Sequence, residues 1–247
     1  MRLSQAWIVA THDMGLFRTR RTLLYALVAF PLAVSIGFPL LVNYIHMRSS
    51  TGSVSISLLS GIVDSFSFWF VIAAATLPAS IASYSIVGEK VEKSLEPLLA
   101  TPTTDAEILL GKGLAAFLPT ILAVWGSSVV YMALMDRVTF HDFGYLYFPN
   151  TEMAVILLLL APLAGLCAIE LSILVSSRVT DVRTAQQISA VLFLPFILLY
   201  LLGEVGVITL DTTNLLYIGA GLAVAVVLLF YVSRRTFHRE EILTQWR

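Results

Sequence analysis

The sequence predicts an all-α membrane protein, in which an N-terminal interfacial helix precedes six transmembrane helices. Of its 247 residues, 58% are hydrophobic and only 13% are charged, about half of the ~25% charged residues in an average soluble domain. The hydrophobic residues form runs long enough to cross a bilayer, and the positive charges fall almost entirely on one side of the resulting topology. This composition excludes an ordinary soluble domain, and a net charge of −1 gives no indication of nucleic-acid binding.

Residues 1–20 predict an elbow helix that lies in the membrane interface before the first span. Polar residues, Asp13 among them, fall outside the apolar stripe of this helix. The stripe consists of residues that recur at steps of three and four, namely Leu3, Trp7, Ala10, Met14 and Phe17.

Six runs are long enough to span a membrane, since a hydrocarbon core ~30 Å thick needs about 20 apolar residues per helix. Pro195 interrupts the fifth run and glycines flank Glu204 after it, so we expect residues 205–210 to form a short re-entrant or surface piece. The predicted spans are 22–45, 62–87, 108–135, 153–175, 186–203 and 214–232.

The distribution of cations orients these spans. With both termini on one side, that side receives thirteen of the fifteen Lys and Arg residues, and the other receives only Arg48 and Arg137. The positive-inside rule then predicts cytoplasmic termini and cytoplasmic loops at 88–107 and 176–185. The whole chain, 1–247, is therefore predicted to form one multi-pass domain of the cell membrane in contact with its lipids, with only short loops on the outer side.

The cytoplasmic segment 88–107 has the most informative local pattern. Ser94 can cap a short helix, and Thr104 with Glu107 three residues later forms a capping-box pattern that begins the next helix. Leu95, Leu98 and Leu99 lie on one side of the short helix, flanked by charged residues. From these residues alone, the leucines either dip into lipid or form a docking surface for another protein.

The residues of this segment resemble the signature of ABC-2 type transporter permeases. Gly-Glu-Lys stands at 88–90, Ser-Leu-Glu-Pro-Leu-Leu-Ala-Thr-Pro at 94–102, and Glu-Ile-Leu-Leu-Gly-Lys at 107–112. Residues 176–187 are similar to the family's stretch between spans four and five. The match is not complete, because Val91, Lys93 and Ser94 replace the Glu, Gly and Thr that are usual in the family, and Pro97, in a variable position, can stiffen or tilt the helix.

The resemblance implies a permease subunit of an ATP-driven transporter, with export as the expected direction. Two ABC ATP-binding subunits would bind ATP and Mg, and this chain would form the translocation path with a second copy or a homologue. The segment would contain the coupling helix that contacts the ATPase subunit. The interface residues implied by the resemblance are Glu89, Lys90, Ser94, Leu95, Glu96, Leu98, Leu99, Thr101 and Pro102.

The chain itself is predicted to be neither an ATPase nor a metalloprotein. A phosphate-binding loop around Gly111 and Lys112 would need a glycine five residues before Gly111 and a Ser or Thr after Lys112, but Ala106 and Gly113 occupy those positions. No histidine has a partner at metal-ligand spacing. We therefore expect no catalytic residue and no cofactor on this chain.

Two carboxylates, Glu170 and Asp64, are candidates for the translocation path. Glu170 lies eight residues before Arg178, roughly 12 Å inside the cytoplasmic boundary of the membrane. Asp64, like Glu204, lies near the outer end of a predicted span, where it can reach headgroup water. Glu170 either lines a path, for which Asp64 is the second candidate, or stays protonated and bonds to a neighbouring helix. The alternative to an ABC permease is a stand-alone ion channel or ion-coupled carrier. A carrier usually needs a charged, often repeated, site at the midplane, and a single buried carboxylate without an inverted repeat argues against one.

Overall fold

The computed structural model describes most of the chain. The residues it describes are 3–19, 21–48, 56–91, 104–179, 184, 187–188, 191, 194–205 and 207–236.

All regular structure in the described residues is helical, as the sequence predicts. One π-helical turn, Ile156–Leu160, joins the fifth and sixth α-helices into a single span. The α-helices are α1 (Leu3–Thr19), α2 (Arg21–Arg48), α3 (Ile56–Val91), α4 (Asp105–Phe143), α5 (Thr151–Val155), α6 (Ala161–Arg178), α7 (Leu194–Glu204) and α8 (Thr212–Thr236).

Five stretches of the described residues are long and apolar enough to cross a membrane, and they coincide with predicted spans one to four and six. The predicted fifth span, 186–203, corresponds in its second half to the shorter apolar helix α7, and most of its first half lies outside the described residues. The five candidate spans are Tyr25–Ile45, Leu59–Ser83, Ala106–Phe143, Thr151–Ser176 and Thr212–Ser233.

Helix α4 is longer than the predicted third span. It continues beyond residue 135 to Phe143, because no glycine or proline interrupts residues 136–143. Gly144 then ends the helix in the left-handed conformation, with φ of 72°, and its amide donates to the Phe140 carbonyl. Asp136, which follows the end of the predicted span at residue 135, is therefore a helical residue.

Helix α3 is the centre of the bundle. It packs most extensively against α6 and also contacts α2, α4 and α7, and it is the most buried of the candidate spans. Gly165 of α6 permits this packing, because a Cβ atom at that position would lie 2.9 Å from the Ala74 carbonyl oxygen of α3. Close contact through a small residue is the usual way in which membrane helices approach each other.

The π-helical turn leaves one backbone carbonyl without a helical donor. The amide of Ala161 donates to the Ile156 carbonyl, five residues earlier, and Pro162 has no amide to donate. The Leu157 carbonyl instead accepts a hydrogen bond from the indole Nε1 of Trp125 on α4, at 2.9 Å. A neighbouring helix thus satisfies a backbone group that the proline freed within the apolar region.

Candidate functional site

The segment predicted to contact an ATPase subunit joins α3 to α4. Glu89 and Lys90 lie in the last turn of α3, while the predicted contact residues from Ser94 to Pro102 lie outside the described residues. Where the chain is described again, the predicted capping box is confirmed at the start of α4. The Glu107 carboxylate accepts a hydrogen bond from the Thr104 amide at 2.9 Å. The end of the segment is therefore fixed to the first turn of α4.

A buried ion pair lies close to this point. Nζ of Lys112 on α4 is 3.3 Å from Oδ2 of Asp13 on α1, and the two residues are only 2% and 4% exposed. The neighbouring His12 is largely exposed, with Nδ1 3.4 Å from Oδ1 of Asp13. Asp13 lies outside the predicted apolar stripe of α1, yet it is buried, because α4 covers it.

Helix α1 contacts α4 through small residues. Ala6, Val9 and Ala10 are buried, whereas Trp7, part of the predicted apolar stripe, is 52% exposed. A Cβ atom at Gly111 would lie 2.6 Å from the Val9 Cβ and 2.8 Å from the Ala6 carbonyl oxygen. The glycine therefore allows the two helices to approach closely. Gly111 and Lys112, excluded above as part of a phosphate-binding loop, are therefore residues of α4 that contact α1.

Asp64 lies at the opposite end of the bundle, in a network that sequence reasoning missed. Its Oδ2 accepts a hydrogen bond from the Tyr147 hydroxyl at 2.7 Å, and its Oδ1 accepts one from the Asn150 amide at 3.3 Å. Asn150 also caps the next helix, because its side-chain oxygen accepts from the Met153 amide. Asp64 thus ties the start of α3 to the loop between α4 and α5.

The loop at 144–150 is itself held in one conformation by α4. Oδ1 of Asp136 accepts hydrogen bonds from the amides of Tyr147 and Phe148, both at 2.9 Å. The Tyr147 ring stacks on Phe143 with ring centroids 4.9 Å apart. Burial, together with the hydrogen bond to Asp64 and its charge, raises the pKa of Tyr147 well above its usual range. Tyr147 is therefore a neutral donor to Asp64 at neutral pH.

Asp64 also lines a cleft of about 330 Å³ between α3, α5, α7 and residues 208–211. Residues 205–210 were expected to form a short re-entrant or surface piece, and three of the described residues there, Val205, Val207 and Ile208, donate backbone hydrogen bonds to carbonyls of α7. The cleft contains three carboxylates and the backbone of two glycines. It is lined by Gly61, Asp64, Ser65, Glu152, Gly203, Ile208, Thr209, Leu210 and Asp211.

The carboxylates of this cleft are only partly occupied by protein donors. Glu152 accepts a hydrogen bond from the Thr212 hydroxyl at 2.9 Å, and Asp211 accepts one from the Thr209 hydroxyl at 3.1 Å. No lysine or arginine lines the cleft among the described residues. Chemically, such a cleft suits ligand groups that carry positive charge or donate hydrogen bonds. Within the described residues, no three carboxylate, histidine or cysteine side chains are grouped closely enough to hold a metal ion.

Glu170 lies elsewhere, in the second half of the fourth span. Its side chain is half-buried and approaches Ser233 of α8, and its Oε2 atom is buried without a hydrogen-bond partner among the described residues. The structure therefore does not bring the two predicted path residues, Glu170 and Asp64, into one site. The side chain of Glu204 lies outside the described residues.

A family of known proteins matches nearly three quarters of the chain. Residues 41–220 match the model of a family described as ABC-2 family transporter protein. The match includes the segment at 88–107, Lys112, the cleft and Glu170, whereas Asp13 lies before it. No curated protein matches the chain.

Proposed function

The chain belongs to the ABC-2 family of transporter proteins, and on that premise we propose that it is the permease subunit of an ATP-driven exporter. In this proposal, two copies of the chain, or one copy and a homologue, form the translocation path in the cell membrane. Two separate ABC subunits bind ATP and Mg on the cytoplasmic side and power the cycle. The family match is the observation that carries the proposal.

The coupling route in this proposal is the segment 88–107. It connects α3, the most buried candidate span, to α4, and both helices contact each other along the bundle. A displacement of the segment by an ATPase subunit would therefore move two spans at once. Leu95, Leu98 and Leu99 would fill an apolar pocket on that subunit, with Glu89 and Lys90 as polar support.

Contact with a second permease copy would use faces that the chain leaves exposed. α8 is the least buried of the candidate spans, and α2 is also largely exposed. Both helices carry large apolar side chains on these faces, such as Leu40 on α2 and Val227 on α8. In the membrane, such faces contact either lipid or another helix.

Asp64 and Glu170 are the candidate path residues in this proposal. The cleft around Asp64 would form part of the outer vestibule, and Glu170 would face the path from the cytoplasmic half. Export is the proposed direction because the predicted outer loops are too short to receive cargo from a large binding protein. Glu170→Gln should change the range or rate of transported substrates, and unchanged transport would remove Glu170 from the path.

Isolation of the native complex tests the proposal as a whole. The epitope-tagged chain, extracted in mild detergent, should co-purify with a nucleotide-binding subunit that hydrolyses ATP. Reproducible absence of such a subunit, together with ion conduction by the purified chain alone, would instead support the stand-alone channel or carrier.

The docking surface has its own test. Leu98→Asp combined with Leu99→Asp places two charges in the proposed contact and should reduce retention of the ATPase subunit by at least about tenfold, the equivalent of ~1.4 kcal/mol. Leu146→Asp is the matched control, because Leu146 is exposed in the 144–150 loop at the other end of the bundle. If the double variant retains the subunit and its substrate-stimulated ATPase activity as the control does, the proposed surface is wrong.

A further inference from the structure

The ion pair between Asp13 and Lys112 connects α1 to α4 near the start of α4. The two residues are 99 positions apart, and both are almost completely buried. Removing one partner from a buried pair leaves an uncompensated charge, which is strongly unfavourable, whereas an apolar contact of the same size would carry no such penalty. The pair therefore resists any motion that separates α1 from α4.

A second contact restrains the same junction independently. Gly111, next to Lys112, brings the backbone of α4 close to Ala6 and Val9 of α1, with no room for a Cβ atom. The ion pair opposes rotation of α1 about its own axis, since rotation would withdraw Asp13. The glycine contact fixes the distance between the helices. Together the two contacts restrain α1 in orientation and in separation.

The junction also lies on the route by which force would enter α4. Lys112 is five residues after Glu107, about 8 Å along the helix axis, and Glu107 caps the turn that receives the segment at 88–107. The first proline within α4 is Pro119, beyond Lys112. No proline separates the cap from the ion pair, and the α-helix is continuous between them, so a displacement of the cap reaches Lys112 directly.

We propose that Asp13 and Lys112 are positioning residues that join α1 to the start of α4, so that the two helices move as one rigid unit during the transport cycle. The inference rests on the proposed function, because the segment at 88–107 is the part that the ATPase subunit displaces. Its consequence is that α1 is a moving part of the transporter. An elbow that served only to anchor the chain in the interface would stay in place while α4 moved past it.

Distance measurements between spin labels test the rigid unit in the isolated complex. Cys167, the single cysteine, is replaced by Ser, and labels are placed at the exposed positions Ile8 on α1 and Leu122 on α4. A second sample has labels at Ile8 and at exposed Val224 on α8. Pulsed electron paramagnetic resonance then gives both distances in the ATP-free complex and in the complex trapped with a non-hydrolysable ATP analogue.

We expect the 8–122 distance to stay constant within about 2 Å while the 8–224 distance changes. A change in the 8–122 distance of about 5 Å or more, one helical turn, would overturn the inference, because α1 and α4 would then slide past each other. Two unchanged distances would also overturn it, because α1 would then be stationary. Absence of an ATPase subunit from the complex would instead be a failure of the proposed function.

Charge variants separate positioning from simple structural support. Asp13→Asn and Lys112→Met should each lower the ratio of substrate-stimulated to basal ATPase activity by about tenfold, measured on equal amounts of assembled complex. The reversed pair, Asp13→Lys with Lys112→Glu, should recover most of this ratio. Arg137→Met is the matched control, because it removes a cation from α4 at an exposed position near the other end of the helix.

Two results with the charge variants would contradict the inference. If a single variant assembles and keeps the wild-type activity ratio, or if the reversed pair is no better than the single variants, the inference is wrong. Should both single variants fail to assemble, Gly111→Ala perturbs the same junction without removing a charge. This variant should broaden the 8–122 distance distribution, and an unchanged distribution would contradict a tightly restrained junction.

Discussion

Trp125→Phe is the sharpest test of how the fourth span is held. The substitution keeps an aromatic ring between α4 and the π-helical turn but removes the indole N–H that donates to the Leu157 carbonyl at 2.9 Å. That carbonyl has no helical donor, because Ala161 donates to Ile156 and Pro162 has no amide. Interhelical hydrogen bonds in membrane proteins contribute about 0.6 to 1.7 kcal/mol. We therefore expect a loss of ~1 kcal/mol in the free energy of unfolding, about fivefold in the equilibrium constant.

The assay is reversible unfolding in mixed micelles, followed by circular dichroism at helical wavelengths. Two other Trp→Phe variants make the same reduction from an indole to a phenyl ring without removing a hydrogen bond. The indole of Trp7 is exposed and makes no hydrogen bond among the described residues, and Nε1 of Trp69 is buried without a partner there. Trp125→Phe should therefore lower the free energy of unfolding by more than either control variant does, since the controls lose only ring volume.

A proline variant provides the result that would refute this reasoning. Pro162→Ala supplies the missing amide, so the π-helical turn should depend less on Trp125 in that background. Either of two results would refute the reasoning. The first is that Trp125→Phe lowers the free energy of unfolding by no more than Trp7→Phe does. The second is that Trp125→Phe has the same effect whether residue 162 is proline or alanine.

Two further predictions use the same assay. Gly165→Ala should destabilise the protein by about 1 to 3 kcal/mol, because its Cβ would meet the Ala74 carbonyl oxygen. Gly126→Ala is the control and should be neutral or stabilising, since a Cβ atom there would have nothing within 4 Å. Equal effects of the two variants would contradict the packing of α3 on α6. Tyr147→Phe should cost about 1 to 2 kcal/mol by removing the 2.7 Å hydrogen bond to Asp64. The pKa of Tyr147 is raised in the folded protein. The difference in free energy of unfolding between the wild type and Tyr147→Phe should therefore be complete below about pH 10 and should shrink above it. A difference that stays constant to about pH 12 would be inconsistent with the contact between Tyr147 and Asp64.

The parts of the fold that depend on nearby residues were predictable from the sequence. Apolar runs of sufficient length located five candidate spans, since length and hydropathy are local properties. The capping box of Thr104 and Glu107 was predictable for the same reason, because its partners are three residues apart. The end of α4 at Gly144 follows an equally local rule, although the hydropathy of the preceding residues placed the end earlier.

The contacts between distant residues were not predictable. Helix α1 has two faces with residues at helical spacing, and periodicity alone does not decide which of them packs on α4. Burial of Asp13 depends on Lys112, which lies 99 residues away. The partners of Asp64 likewise depend on the path of the loop at 144–150, which Asp136 holds in place. In each case the partner is identified only when the fold has brought the two elements together.

The π-helical turn makes the length of the fourth span significant. A hydrogen bond between residues five apart encloses one residue more than an α-helical bond does, and one residue corresponds to about 100° of rotation. Deleting a single residue from Ile156–Leu160 would restore a regular helix and would turn α5 by that angle relative to α6. Glu152 would then leave the cleft while Glu170 kept its place beside α8. One inserted residue thus sets the relative orientation of the two carboxylates at opposite ends of this span.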